Sequence, residues 1–392
     1  MNKKNKNIPA LRFPEFDGEW KVIILSKLLD FKNGINASKE DYGQGYKFIN
    51  VLDVIENNFI TYECIKGFVN ISKDEFEKNK VQYGDVLFQR SSETREEVGQ
   101  ANVYLDKDNT VTFGGFVIRG KKKVEYSPEF MNYLLKTSSA RKEITSKSGG
   151  STRYNVGQEI LSKVKIITTN IEEQQKVASF LKAVDKRIEL LEKKKEKLEE
   201  YKKGVMQKIF SQEICFKDDE GKNFPDWEMK KLYEICSKKS SNLSINKIEK
   251  NKGKYKIFGA DGFIKKVNFY LEENDFIAIV KDGAGVGRTM LCEKKSSVLG
   301  TMDLILPLPN NNLYFLLMIF KRINFKKYTT GSTIPHIYFK DYSRKKIKVP
   351  ISSEQQKIAS FLSSIDKKIE KVTKEIGGSK KFKKGLLQKM FV

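Results

Sequence analysis

The chain has 392 residues, 74 Lys and Arg against 50 Asp and Glu, a net charge of +24 and a pI near 9.5. That length fits two or three domains, and the basic excess favours a polyanion, nucleic acid foremost, as partner. A single histidine and four dispersed cysteines without a CxxC pair exclude a histidine-based metal cluster and a Ser-His triad in the first half, and indicate neither a zinc site nor a disulfide frame.

The start, MNKKNKNIPALRF, lacks the apolar stretch of a signal peptide, and the longest apolar run, Leu313 to Phe320, is too short to span a bilayer. A reduced, soluble, cytoplasmic protein is expected. Arg12-Phe13-Pro14 and Trp20 open a first globular segment, and Asn223-Phe224-Pro225 and Trp227 open a second; these are the only two tryptophans. In the first segment, Tyr46 to Val51 reads as a strand, and Gly84-Asp85 turns the chain into the strand Val86-Leu87-Phe88. In the second, Tyr255 to Phe258 reads as a strand, and Asn274-Asp275 turns into Phe276 to Val280. Phe130 to Leu135 and Leu313 to Phe320 read as one core helix in each.

Each segment leads into a long, charged stretch, and the two stretches repeat. Glu173-Gln174-Gln175 returns as Glu354-Gln355-Gln356, Ser179-Phe180-Leu181 as Ser360-Phe361-Leu362, and Asp185, Gly204, Gln207 and Phe210 as Asp366, Gly385, Gln388 and Phe391, always 181 positions later. One ungapped register over that span points to an internal duplication. Apolar residues recur every three or four positions, at Val177, Phe180, Val184, Ile188 and Leu191 and at Ile358, Phe361, Ile365 and Ile369. This is the seam of a coiled coil, each helix pairing antiparallel with the other copy. About 32 helical residues at ~1.5 Å each make a rod of roughly 48 Å, or about 14 base pairs of duplex. Gly377-Gly378 predicts a kink or fraying in the second rod, and Gly204 and Gly385 suit either a close helix approach or an open surface. The fold class is therefore α+β, with mixed α/β domains at 1–170 and 211–350 and long helices at 171–210 and 351–392 forming an antiparallel, pseudo-two-fold coiled coil.

Two loops per globule can carry recognition. Gly150-Ser151-Thr152 and Gly331-Ser332-Thr333 keep the 181 spacing; Arg153, Tyr154 and Asn155 follow in one copy, His336 and Tyr338 in the other. Small residues expose backbone N–H groups and hydroxyls to phosphate, although a tight turn would use the same residues. The second loop runs from Gln89 to Gln100 and from Lys281 to Arg288, sharing Val98-Gly99 with Val286-Gly287 and little else. Arg90, Arg95, Gln100, Lys281 and Arg288 are candidates for base edges, against the simpler role of solvated charges. Gly283 to Arg288 lacks both the Walker ending and the dinucleotide glycine spacing, and no catalytic motif stands out.

The doubled EQQ-x-[VI]-A-S-F-L-x-x-[VI]-D-[KR]-x-I-E helices, the paired Gly-Ser-Thr loops and the paired Phe-Pro…Trp openings resemble the specificity subunits of type I restriction–modification systems, over nearly the whole chain. The resemblance implies a non-catalytic phage-defence subunit whose two target recognition domains each read half of a bipartite DNA target. It implies that the helices fix the gap and dock two modification subunits, through Gln174, Gln175, Phe180, Val184, Ile188 and Leu191 and through Gln355, Gln356, Phe361, Ile365 and Ile369. No cofactor is expected on this chain: S-adenosylmethionine belongs to the modification partner, ATP and Mg2+ to the restriction partner. The alternatives are a nucleic-acid-binding coiled-coil scaffold without sequence choice and a stand-alone enzyme, the latter disfavoured by the missing motifs.

Overall fold

The computed structural model describes residues 7–248 and 250–392. The chain divides into two compact units, one running to Lys193 and including Lys374–Val392, the other Lys194–Thr373. The first unit's strands are β1 (Lys21–Ile24), β2 (Leu29–Asn33), β3 (Tyr42–Ile49), β4 (Gly67–Val69), β5 (Val86–Gln89), β6 (Ser91–Ser92), β7 (Ala101–Val103), β8 (Thr112–Phe113), β9 (Val117–Lys122), β10 (Tyr154–Asn155) and β11 (Lys165–Thr168). Its short helices are α1 (Val51–Glu56), α2 (Lys73–Lys78), α3 (Pro128–Leu135), α4 (Ser138–Ser146) and α5 (Gln158–Ser162), and the long helix α6 (Ile171–Phe210) starts in it. The second unit holds β12 (Glu228–Lys231), β13 (Cys236–Ser240), β14 (Tyr255–Gly259), β15 (Gly262–Val267), β16 (Phe276–Val280), β17 (Thr289–Cys292), β18 (Ser297–Val298), β19 (Met302–Pro307) and β20 (Lys346–Val349). With them are α7 (Ile245–Ile248), α8 (Leu313–Arg322), α9 (Phe339–Tyr342) and the start of α10 (Ser352–Met390).

The sheets repeat between the units. A four-stranded antiparallel sheet, β2-β9-β5-β7, is matched by β13-β19-β16-β17, and a three-stranded sheet, β4-β3-β8, by β15-β14-β18. The three-stranded sheets each contain one parallel pair, Phe48 opposite Thr112 and Ile257 opposite Ser297. A two-stranded ribbon, β1-β11, is matched by β12-β20. Central strands β5 and β16 are buried throughout, which is why VLF and FIAIV read as continuous apolar runs. Strand β3 ends at Ile49, short of the predicted Val51, because the Asn50 side chain accepts from Asp53 N while Asp53 accepts from Asn50 N, a capping box that starts α1.

Helices α3 and α8 fill the centre of each unit. Ser127 and Asn312 cap them, and Gln174 and Gln355 accept from the backbone N–H of these caps at 3.0 and 2.8 Å. Phe130 packs on Trp20, and Phe315 on Trp227. The long helices complete both cores. In the first unit Val177, Ala178 and Leu181 of α6 cluster with Leu386 and Met390 of α10, and Trp20 meets the Phe391 ring edge-on at 6.0 Å. In the second, Val205 and Ile209 cluster with Ile358, Leu362 and Ile365. Ion pairs Asp185–Lys383 and Glu192–Lys380 fix an antiparallel register, numbers rising on one helix as they fall on the other.

Several sequence expectations for the helices change. Phe180 and Phe361 lie off the seam: Phe180 meets Phe13, and Phe361 meets Phe216, each at 5.8 Å. Leu181 and Leu362, both fully buried, occupy the seam instead. Gln174 and Gln355 are buried within their own units rather than offered to a partner, whereas Gln175 and Gln356 are exposed. Val184, Leu191 and Ile369 are half-buried, and Ile188 and Ile365 buried. Helix α10 runs unbroken through Gly377-Gly378, both exposed; no neighbour lies within 4 Å of a β-carbon built on either, nor on Gly204 or Gly385. These glycines mark open surface, not a kink or a close approach, because the packing on either side holds the helix despite their weak propensity.

Candidate nucleic-acid interface

The structure brings the two loop families together. In the first unit, Gly149 and Asn155 exchange backbone hydrogen bonds of 3.1 and 2.8 Å, closing a hairpin around the Gly-Ser-Thr tip. In the second, Thr330 and His336 do the same at 2.9 and 2.8 Å. The first glycine of each tip is obligatory: Gly150 has φ +115° and Gly331 +88°, and a β-carbon there would lie 1.9 Å from the Arg153 carbonyl oxygen or 2.4 Å from that of Ile334. The hairpins lie along the second loops. Tyr154 and Asn155 pair with Ser92 and Ser91, and His336 bridges to Asp282. Val156 N donates to Arg90 O, and Ile337 N to Lys281 O, at 3.0 and 2.9 Å.

Ser151, Thr152 and Arg153 are exposed at one tip, and Ser332, Thr333 and Ile334 at the other. Among the described residues these four hydroxyls make no hydrogen bond, which leaves them open to an incoming acceptor or donor. Tyr154 is half-buried against the core, and Asn155 accepts from the Ser91 hydroxyl at 2.7 Å. His336 meets Asp282 at 3.0 Å; Tyr338 is half exposed, its ring 6.5 Å from that of His336 and capped by Lys340 Nζ at 5.5 Å.

The cationic candidates of the second loops are largely committed elsewhere. Arg95 donates to the carbonyls of Thr145 and Ser146 at the end of α4, where unpaired carbonyls attract cations. Arg90 donates to Gly115 O, Lys281 pairs with buried Asp303, and Arg288 pairs with Asp261. Gln100 is half-buried at the entry to β7. Between them Glu93, Glu96 and Glu97 are exposed, so the 89–100 loop offers phosphate an acidic rim rather than the basic one its arginines suggested. Sequence reasoning also missed Arg141, whose guanidinium donates to the carbonyls of Glu96, Val98 and Gly99 and holds that loop rigid. It missed Lys340, and the turn Gly114-Gly115-Phe116, whose Phe116 carbonyl accepts from Arg90 N at 2.9 Å; the Gly-Gly-Phe triplet was the available signal for the turn.

The frame behind these loops is doubled down to single side chains. Tyr133 donates to Asp185 at 2.7 Å, and Lys383 pairs with the same carboxylate at 2.6 Å and covers the Tyr133 ring. Tyr314, Asp366 and Lys202 repeat the cluster, Lys202 meeting Asp366 at 2.5 Å. Burial, and then the neighbouring aspartate, push both phenols upward, so they remain donors. At the start of the long helices, Trp20 donates to buried Glu173 and Trp227 to buried Glu354, at 3.2 and 3.1 Å. Burial raises both carboxyls, but Arg12, Thr169 and Trp20 together outweigh it at Glu173 and bring that pKa down. Glu354 has the indole without an arginine, and its pKa stays raised.

Two matching α/β frames, each clasping the ends of two long helices and presenting one exposed tip, define an internally duplicated α+β scaffold. Residues 17–200 and 225–376 both match the type I restriction modification DNA specificity domain, and the chain belongs to that family. The putative type I restriction enzyme MjaX specificity subunit of Methanocaldococcus jannaschii is 26% identical over 239 residues, 58% of this chain and 55% of that protein. The type I restriction enzyme MjaIX specificity subunit of the same organism is 26% identical over 294 residues, 67% and 68% of the two chains. The match thus spans about half the length of the first relative. The crystal structure of a type I restriction–modification S subunit from M. genitalium shares the fold, with a TM-score of 0.63 at 19% identity over 98% of this chain and 99% of that one. A structure solved for complex assembly and conformational transition of the type I R-M system has a TM-score of 0.57 at 15% identity, over 95% and 97%.

Proposed function

We propose that the chain is the DNA sequence-specificity subunit of a type I restriction–modification complex, each unit reading one half of a bipartite, asymmetric target. The observation that carries this is the contrast at the tips: the Gly-Ser-Thr hairpins are closed by the same backbone bonds, yet Arg153 in one stands where Ile334 stands in the other. A duplicated frame with unlike exposed tips suits a reader of two unlike half-sites. The net charge of +24 suits the duplex backbone.

The long helices set the distance between the half-sites and dock two modification subunits in this reading. Its support is a pair of matching aromatics, Tyr201 on α6 and Phe382 on α10, 53% and 56% exposed. The chain itself takes no part in catalysis; S-adenosylmethionine belongs to the modification subunits, and ATP with Mg2+ to the restriction subunits. No described helix is long and apolar enough to cross a membrane. In this reading the complex works on DNA in the cytoplasm.

Mapping methyladenine in DNA from cells carrying this chain and its modification partners tests the proposal. One bipartite motif with unlike halves is expected, and Arg153→Ala should relax one half alone. Methylation without a motif would favour a sequence-neutral scaffold, and a change in both halves would end the assignment of one unit to one half-site.

A further inference from the structure

The turn joining β8 to β9 is the most exposed apolar point of the described structure. Phe116 at its tip is 66% exposed. Its two glycines let neighbouring side chains approach closely: a β-carbon on Gly115 would sit 1.9 Å from Asn36 Oδ1, and one on Gly114 would sit 2.6 Å from the Phe48 ring. Gly115 N donates to Ile35 O at 2.8 Å, and the Arg90 guanidinium reaches Gly115 O. The backbone is thus fixed on both sides while the side chain is presented outward, over a cleft of about 350 Å3 walled by Tyr42, Phe48 and Leu52.

This turn abuts the reading loops. Arg90 N donates to Phe116 O, and Arg90 O accepts from Val156 N, next to the Gly-Ser-Thr hairpin. The second unit repeats the arrangement. The turn from β18 to β19 puts Thr301 where the first unit has Phe116; Lys281 N donates to Thr301 O at 2.9 Å, and Lys281 O accepts from Ile337 N. Thr301 is also exposed. Frame and hydrogen bonds are shared, and the outward side chain differs.

We propose that these turns are base-contacting elements, with Phe116 reading a thymine 5-methyl group in the first half-site and Thr301 reading the matching position in the second. Phe116 offers only carbon, Leu52 and Tyr42 extend the apolar surface, and among major-groove base edges only thymine presents an apolar group. A hydrophobic tip tied through Arg90 to the hairpin that carries exposed Arg153 fits a duplex, where phosphate contacts position and base contacts specify.

This rests on the proposed function, and the experiment separates the two. The full chain, assembled with its modification subunits, is assayed for methylation of its mapped target and of a series in which each thymine is replaced by uracil, which removes the 5-methyl group alone. One uracil in the first half-site should lower the rate about tenfold with the wild-type chain and leave Phe116→Thr unaffected. Thr301→Phe should alter discrimination in the other half only. The idea is overturned if every uracil is tolerated by the wild-type chain, or if Phe116→Thr keeps the full wild-type uracil profile. Should Phe116→Thr fail to accumulate, Phe116→Leu, which keeps an apolar tip, should retain the uracil penalty, and its loss there would equally refute the contact. Absence of any bipartite motif in the wild-type map would instead fail the reading of the whole chain.

Discussion

The two units solve one problem in two ways. Each buries a glutamate at the start of a long helix beneath a tryptophan, but the first adds Arg12 and the second has Asn223 at the matching motif position. Glu173 is therefore held as a carboxylate in a bidentate pair, while Glu354 is held by an indole N–H that does not outweigh the cost of burying charge. Duplication supplied the frame, and divergence left one copy with a fully compensated charge and the other with a partly compensated one.

Removing each carboxylate charge is the sharpest way to break this comparison. Glu173→Gln leaves Arg12 with only the Asp17 and Gly18 carbonyls and no carboxylate, and should destabilise the first unit by about 3 kcal/mol. Glu354→Gln removes a charge that only an indole N–H faces and should leave the second unit unchanged or more stable. Hydrogen-exchange mass spectrometry, read separately on peptides of each unit, distinguishes the two, and equal losses would show that the arginine does not matter. The pH dependence should also be opposite. Glu173, held below its ordinary value of 4.5, contributes stability that is present above that value and lost as pH falls through the folded pKa. Glu354, held above 4.5, favours the folded state while protonated, and that advantage disappears as pH rises from 4.5 through its folded pKa.

The tyrosine clusters should behave alike, which sharpens the contrast. Tyr133→Phe and Tyr314→Phe each remove one hydrogen bond to an aspartate that keeps its lysine, at about 1 kcal/mol apiece. A difference well beyond that, by the same exchange measurement, would mean the duplication is less faithful than the geometry indicates. The smallest effect lies on α10. Its Gly377-Gly378 stands where α6 has Glu196-Lys197, and replacing both glycines with alanine should stabilise the helix by up to about 1 kcal/mol per site, seen as a higher melting temperature.

Much of the frame was legible in the residues because it rests on local signals. The repeated EQQ register marked both long helices, and the Gly-Ser-Thr spacing located both hairpins. Apolar runs located β5, β16, α3 and α8. The seam was misread at Phe180 and Phe361 because a large aromatic every third or fourth residue satisfies the periodicity whichever neighbour it finds; here Phe13 and Phe216 take it from the side. The pairing of the loop cations was hidden for a related reason. An arginine in a loop looks free until a helix end supplies carbonyls, as α4 does for Arg95, or an acid is found far along the chain, as Asp261 is for Arg288. Phe116 was passed over because a lone aromatic after two glycines has no periodicity; only the tertiary approach of Asn36 and Phe48 explains those glycines.

The first unit is closed by residues from far along the chain. Its core includes Leu386, Met390 and Phe391, and Leu11 N donates to Lys389 O at 2.8 Å. The domain translated first is thus finished by residues translated far later, and its hydrophobic interior stays open until Phe391 has cleared the ribosome. A stop codon just ahead of Leu386 would spare the segments that build the second unit and cripple the first.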